Sequence, residues 1–409
     1  MDSGGHISSM SEVKTKQKSV AALESALIQH LRLSDGVSRI ELAREMDVAP
    51  STIGLYVDRL IADGFLREGQ KCRSSAGRPP TILELNPQAG QFVGVDFEAS
   101  QLSATAVDFS QKALHRQRDK IQASDSTDSV VAKIKRAIID VGGREPRLLG
   151  IGVGVPGTVD NRRGVAVHYE FIRGWRDVPL ADQLAQKFGV PVHLENNIRA
   201  MALAERWFGL ARETQNFVCL GIRSGIGAGV VIDGKLRRGW GNMAGEIGGW
   251  PCHSSDGHPD NIPNTLEHRA SVRAVLQQVT DAARAGEKTS LRLRTNRNIA
   301  LEDMLRAARD GDPLVTRILR QTATVLGRTI CQINVLLNPE QVIIGGPLAE
   351  LGHAFLDPIR EVVEQLTPEL HARVPRIVAS QFGEFGGALG AAALAVHQWS
   401  PRGRSTSPR

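Results

Sequence analysis

Between Ala21 and Leu85 the apolar residues recur at helical spacing in three clusters (Leu23, Leu27, Leu31; Ile40, Leu42, Ala43; Ile53, Val57, Leu60) and then alternate through Thr81-Ile82-Leu83-Glu84-Leu85. The pattern predicts three short helices and a hairpin whose strands are Phe65–Glu68 and Thr81–Leu85. Asn86-Pro87-Gln88-Ala89-Gly90 gathers chain breakers and marks a domain boundary. From Gln91 onward, β-rich runs alternate with helical ones: Phe92–Asp96, Leu102–Phe109, Leu148–Val155, Val190–Glu195, Phe217–Ile222, Gly229–Lys235 and Gln341–Gly345. That alternation predicts an α/β fold. Residues 1–18 and 398–409 are polar and rich in breakers, as expected of disordered tails. A small domain over 19–86 and a large one over 91–397 are left.

Ser38-Arg39-Ile40-Glu41 fits a capping box, a hydroxyl and a glutamate that satisfy the free amides of a helix start. A helix is expected from Arg39 to near Asp47-Val48, and Pro50 suits the first position of the next, where a missing N–H costs nothing. In a helix-turn-helix the second helix enters the major groove. Burying Ile53, Val57 and Leu60 turns Ser51, Thr52, Leu55 and Arg59 outward: two hydroxyls, an apolar side chain for thymine methyls, and a guanidinium. Tyr56 suits either the core or the groove. Gly54, a poor helix former, suggests close backbone approach. The loop between the hairpin strands holds Lys71, Arg73 and Arg78, and Gly77-Arg78-Pro79 is an extended element able to lay an arginine into a narrow minor groove. The unit reads as a winged helix-turn-helix whose partner is a double-stranded DNA operator.

Charge changes this picture little. The chain of 409 residues has a net charge of +6 and a pI near 9.3, yet residues 1–90 hold eleven Lys/Arg and eleven Asp/Glu. Bulk basicity is therefore weak evidence, and the excess sits locally, in Lys14, Lys16 and Lys18 and in Arg67, Lys71, Arg73 and Arg78 against Glu68 alone. Hydrophobic residues make up 41% and charged residues 23%, and no apolar run nears the roughly 18 residues of a membrane span. The first residues lack the build of a secretory signal, so a cytoplasmic location without membrane partners is expected. Cys72, Cys219, Cys252 and Cys331 form no C-x-x-C pair, as expected of reduced thiols.

The large domain carries Gly150-Ile151-Gly152-Val153-Gly154-Val155-Pro156-Gly157, Glu195-Asn196-Asn197, Gly221 to Gly229, Ala244-Gly245-Glu246-Ile247-Gly248, Leu266-Glu267 and Ile344-Gly345-Gly346. With these motifs in this order, residues 20–397 resemble the ROK family (repressor, open reading frame, kinase), in particular its transcription-factor branch. The resemblance implies a bilobal actin/hexokinase-like (ribonuclease H-like) domain behind the winged helix, with a ligand in the interlobe cleft. It also implies sugar contacts at Asn196, Asn197, Glu246 and Glu267.

Three departures from the family pattern bear on function. Kinases of the family end their first strand in Asp, a glycine pair and Thr; here Asp96-Phe97-Glu98-Ala99-Ser100 places a bulky ring in the turn and a negative charge near the phosphates. The family's catalytic base is the Asp after Glu-Asn, and Asn197 cannot take a proton at neutral pH. No kinase activity and no ATP are expected, hence no catalytic residue. The zinc ligands of the family are absent as well: Gly249 stands for a histidine, and Ile262-Pro263-Asn264-Thr265 for the cysteine segment. Cys252, His253, His258 and Asp256 or Asp260 could form only an improvised site, so no metal is expected. The expected protein is a repressor of carbohydrate-utilisation genes, a homodimer or larger, with a carbohydrate-type effector. The alternatives are a regulator whose degenerate domain binds a protein partner or no ligand, and an active sugar kinase.

Overall fold

The structure, a computed structural model, describes residues 22–34, 36–71, 81–143, 145–252, 264–292, 299–367 and 373–401. No helix among them is long and apolar enough to cross a membrane. The tail expected over 1–18 lies outside the described residues.

The N-terminal unit comprises a helix over 22–33 (α1), strand Val37–Ser38 (β1), helices Arg39–Glu45 (α2) and Pro50–Ala62 (α3), and strands Leu66–Lys71 (β2) and Thr81–Leu85 (β3). The capping box is formed: the Glu41 amide donates to the Ser38 hydroxyl at 3.3 Å, and the Ser38 amide donates to the Glu41 carboxylate at 2.9 Å. Two orphan amides are thereby satisfied where α2 begins. Pro50 sits in the first turn of α3, and Ile53, Val57 and Leu60 are buried. Two expectations need correction. Ile40 is 74% exposed, because α2 buries only Leu42 and Ala43. The hairpin also gains a third strand, β1, in the order β1-β3-β2, which two residues could not announce by periodicity.

The large domain contains two five-stranded sheets. The first, ordered β11-β7-β4-β5-β6, is built from Gln91–Phe97 (β4), Gln101–Asp108 (β5), Ala113–Lys120 (β6), Leu148–Val155 (β7) and Val192–Asn196 (β11). Helices Thr127–Gly142 (α4) and Leu180–Phe188 (α5) share its core, and Thr158–Asp160 (β8), Val165–His168 (β9) and Arg176–Val178 (β10) form a small sheet beside it. The second, ordered β14-β13-β12-β15-β16, takes Phe217–Ile222 (β12), Ile226–Ile232 (β13), Lys235–Arg237 (β14), Gln341–Gly345 (β15) and Arg376–Ala379 (β16). Its core is shared with Leu266–Ala270 (α7), Val272–Arg284 (α8), Leu301–Arg309 (α9), Pro313–Leu337 (α10) and His353–Leu366 (α11). The run read as Gly229–Lys235 is divided: Asp233 and Gly234, at φ 54° and 68°, make the tight turn between β13 and β14.

Two helices, Asn197–Phe208 (α6) and Gly386–Gln398 (α12), fill the middle. Facing glycines on paired strands, Gly94 and Gly152, let α12 lie directly on the first sheet; a Cβ there would sit 1.9 Å and 1.8 Å from the carbonyl oxygens of Ala388 and Ala391. α12 crosses α6 at Gly390 in the same way. The C-terminal expectation is corrected too. Trp399, assigned to a tail, packs edge-on against Phe65 and Phe109, with centroids 5.0 and 5.1 Å away, and so ties the N-terminal unit to the first sheet. A Cβ at Gly390 would lie 1.6 Å from the Ala200 oxygen, a backbone atom that cannot rotate away. Gly390→Ala is therefore expected to destabilise the protein by about 3 kcal/mol, the upper end for overpacking, whereas Gly241→Ala, facing open space, should change stability by less than about 0.5 kcal/mol. Urea unfolding of both variants checks this.

Candidate functional site

The outward face of α3 is the first candidate. Ser51 and Arg59 are exposed, Thr52 is half-buried, and Leu55 is 51% exposed. Tyr56 is partly buried against the N-terminal core, with the Arg59 guanidinium 5.6 Å from its ring centre, so it serves the core and stacks on a surface cation at once. Gly54 has nothing within 4 Å of the position a Cβ would take. Lys71 ends β2, but its side chain, like Arg73 and Arg78, lies outside the described residues.

The second candidate is a cavity of about 230 Å³ between the two sheets, lined by Asn196, Asn197, Glu246 and Glu267 together with Glu98, Thr158, His168, Glu170, Arg223 and Ser224. All four sequence-chosen cleft residues meet there. They are not equally free. Asn196 caps α6, its carbonyl oxygen accepting from the amides of Ile198 at 3.0 Å and Arg199 at 3.2 Å while its Nδ2 donates to the Gly157 oxygen at 3.1 Å. One N–H of that amide is left for a ligand. Glu267 is half-buried, accepts from the Ile226 amide at 3.3 Å and lies 3.7 Å from Arg273. Glu246 stands exposed in the mouth of the cleft, yet the protein around it excludes enough water to raise its carboxyl above the usual range; Arg199 pulls it down and Glu267 pushes it further up.

Glu195 has a different task. It is buried with Arg199, 3.0 Å away, and also binds Arg238 at 2.6 Å. Arg199 in turn donates to the Asn242 oxygen at 2.7 Å. This network clamps the segment from Arg238 to Glu246 onto the start of α6 and so holds Glu246 over the cavity.

The turn after β4 corrects one expectation and supports another. Phe97 does not obstruct the cleft: it is fully buried, 5.0 Å from the Trp175 ring, because alternation along β4 points it into the core. Glu98 does face the cleft. It pairs with Arg223 Nε and accepts from the Ser224 hydroxyl and, at 3.1 Å, from the Ser224 amide. The Asp96 carboxylate lies 2.8 Å from Arg223 Nη2. Burial pushes the Asp96 carboxyl up to about 6, only partly offset by Arg223. Burial opposes charge on Arg223 as well, but Asp96 and Glu98 outweigh it and hold the guanidinium firmly protonated. Arg223 escaped the sequence reading; its only signal was an arginine wedged between a β-strand and a glycine loop.

A second cavity of about 380 Å³ lies on the other side of Glu98 and Arg223, with apolar walls from Val272, Leu276 and Leu301. As for metals, Gly249 and the segment Asn264-Thr265 offer no zinc ligand, so the residues present do not fit the family's zinc. Among the described residues no cluster of three or more His, Cys, Asp or Glu could hold an ion. His253, Asp256, His258 and Asp260 lie outside the described residues.

The comparisons with known proteins agree with this architecture. The family model described as "ROK family" matches residues 92–398. The chain is similar to the xylose repressor of Caldicellulosiruptor bescii, with 27% identity over 80% of this chain and 84% of that protein. It is similar to the glucokinase of Thermotoga maritima at 30% identity over 74% and 96%. Among solved structures, a ROK family transcriptional regulator described as a homolog of the E. coli MLC protein superposes with a TM-score of 0.78 at 26% identity, covering 93% of this chain and 96% of that one. With three-quarters of the chain matched by one family model, and the winged helix-turn-helix and two-sheet cleft in place, this protein belongs to the ROK family.

Proposed function

We propose that the protein is a DNA-binding transcription repressor of carbohydrate-utilisation genes, with a sugar or sugar derivative as the effector in the cleft. The observation that carries the DNA half is Gly54. A glycine inside a helix costs about 0.5–1 kcal/mol relative to alanine, and no neighbour in the chain requires it, since a Cβ there would meet nothing within 4 Å. It sits on the face that presents Ser51, Leu55 and Arg59, so the close approach it permits is to something outside the chain. The similarity to a xylose repressor and to a regulator over nearly the whole chain supports the same reading. A two-fold operator needs two such helices about 34 Å apart, so the working form is a homodimer or larger.

The sugar half rests on the cleft chemistry. Asn196, Asn197, Glu246 and Glu267 offer amide donors and carboxylate acceptors around a cavity of about 230 Å³, a set that suits the hydroxyls of a polyol. The same residues argue against the kinase reading. Phosphoryl transfer to a hydroxyl needs a carboxylate to take its proton, and Asn197 has none to offer. Purified protein with ATP, Mg²⁺ and a hexose should show no turnover above background.

Gly54→Ala should stabilise the protein by about 0.5–1 kcal/mol and yet weaken binding to DNA sequences selected from a random duplex pool. Unfolding curves and fluorescence anisotropy on the same sample separate the two effects, and unchanged DNA affinity would remove the groove from the argument. Sugar binding, measured by calorimetry, should weaken on acidification with an onset above the ordinary glutamate range of about 4.3. The sign follows from Glu246: only the carboxylate accepts hydroxyl donors at both oxygens, and its raised pKa brings protonation at higher pH than for an exposed glutamate. A flat profile down to that range would exclude Glu246 as a ligand contact.

A further inference from the structure

The loop Ser224-Gly225-Ile226-Gly227 has the build of an anion cradle: glycine-rich, with backbone amides turned to the cleft and a guanidinium at its root. Five of these donors already face a carboxylate of the same chain. The Ser224 amide and hydroxyl donate to Glu98, Arg223 Nε pairs with Glu98, Arg223 Nη2 lies 2.8 Å from Asp96, and the Ile226 amide donates to Glu267 at 3.3 Å. Arg223 Nη1 is buried and makes no hydrogen bond, so the cradle retains one donor beyond those its own carboxylates engage. Arg223 is the one Lys or Arg among the described residues lining the smaller cavity, against Glu98, Glu170, Glu246 and Glu267.

We propose that Glu98 is a built-in anion, the occupant of a latent oxyanion site formed by Arg223 and Ser224, and that it makes the cleft select uncharged sugars over their phosphate esters. The physical reason is competition for the same donors. A phosphate group entering beside Ser224 must displace the Glu98 carboxylate from a buried guanidinium, and then sits among three further carboxylates, while the other nearby cation, Arg273, is 3.7 Å from Glu267 and lines the larger cavity instead. A neutral hydroxyl displaces nothing and finds acceptors on every side. Because Glu98 also lines the larger cavity, it bars phosphates arriving from that side too. The preference among sugars rests on the proposed effector reading, but the latent anion site does not.

The test uses the full chain and inorganic phosphate, with chloride matching the ionic strength, followed by calorimetry and thermal unfolding. The wild-type protein should show no saturable phosphate binding, whereas Glu98→Ala should bind phosphate at least tenfold more tightly, as expected for recovered charge-assisted hydrogen bonds. Adding Arg223→Ala to that variant should abolish the gain. Glu98→Gln, which keeps the volume and an acceptor for Ser224 but not the charge, should bind phosphate to an intermediate degree, and it carries the test if the alanine variant does not fold. Phosphate binding by wild type as tight as by the variants, or no binding by any variant, overturns the proposal. In parallel, a hexose that raises the wild-type melting temperature should do so when its 6-phosphate does not, and Glu98→Ala should narrow that difference. If no sugar binds the wild type, the effector reading fails, and the phosphate arm still decides the role of Glu98.

Discussion

The position of α12 governs the rest of the molecule. Because Gly94 and Gly152 carry no side chains, the helix backbone rests on β4 and β7 with carbonyl oxygens where methyl groups would otherwise stand, and Gly390 lets it rest on α6 in the same manner. Contacts this close leave no side-chain layer to absorb a shift, so the helix is placed by backbone against backbone. Its first turn then brings Gly387 against the Asp96 carboxylate, close enough that a Cβ would lie 2.4 Å from Asp96 Cγ. Its last turn delivers His397 and Trp399 to the N-terminal unit, where Gln29 donates to the His397 oxygen at 2.8 Å and Arg32 to the Val396 oxygen at 2.6 Å. One helix thus fixes both the floor of the cleft and the seat of the DNA-reading unit.

The charges of the cleft follow from the same geometry. Buried ion pairs contribute little net stability, since desolvation offsets most of the attraction, but removing one partner leaves a costly unpaired charge. Their value lies in position. Glu195 with Arg199 and Arg238 fixes the segment bearing Glu246, and Asp96 with Arg223 and Glu98 joins the end of β4 to the loop between β12 and β13. The two clusters hold the cavity walls from opposite sides.

Local chemistry was legible wherever it is decided within a few residues. The capping box at Ser38 and Glu41, the proline at the start of α3, and the buried stripe of Ile53, Val57 and Leu60 could all be read directly, and the order of the glycine motifs carried the family resemblance that implied the fold and placed Asn196, Asn197, Glu246 and Glu267 around one cavity. What escaped depends on partners far away in the chain. Phe97 looked obstructive until the direction of β4 turned it toward Trp175. Arg223 has no local pattern, and its role exists only because Asp96 and Glu98, more than a hundred residues earlier, face it. β6 was missed since its residues are mostly exposed, charged and on a sheet edge, where alternation of apolar positions has no core to serve.

The placement of α6 gives the cleft and the N-terminal unit a common mechanical element. Asn196 caps its first turn at the cavity, and Trp207 near its other end stacks on the His397 ring with centroids 3.3 Å apart. Burial, with Arg32 and Arg206 nearby, pushes the His397 imidazole well below its ordinary range, so it is neutral at physiological pH, and its Nδ1 lies 2.9 Å from Gln29 Oε1. Because α6 and α12 meet backbone to backbone at Gly390, a displacement of one must carry the other. Any coupling between the cleft and α1 therefore runs through this pair, since α12 holds Gln29 and Arg32. Linkage limits its size: the ligand can shift the two-state equilibrium only by the difference in its affinity for the two arrangements, and DNA must shift ligand binding by the same amount.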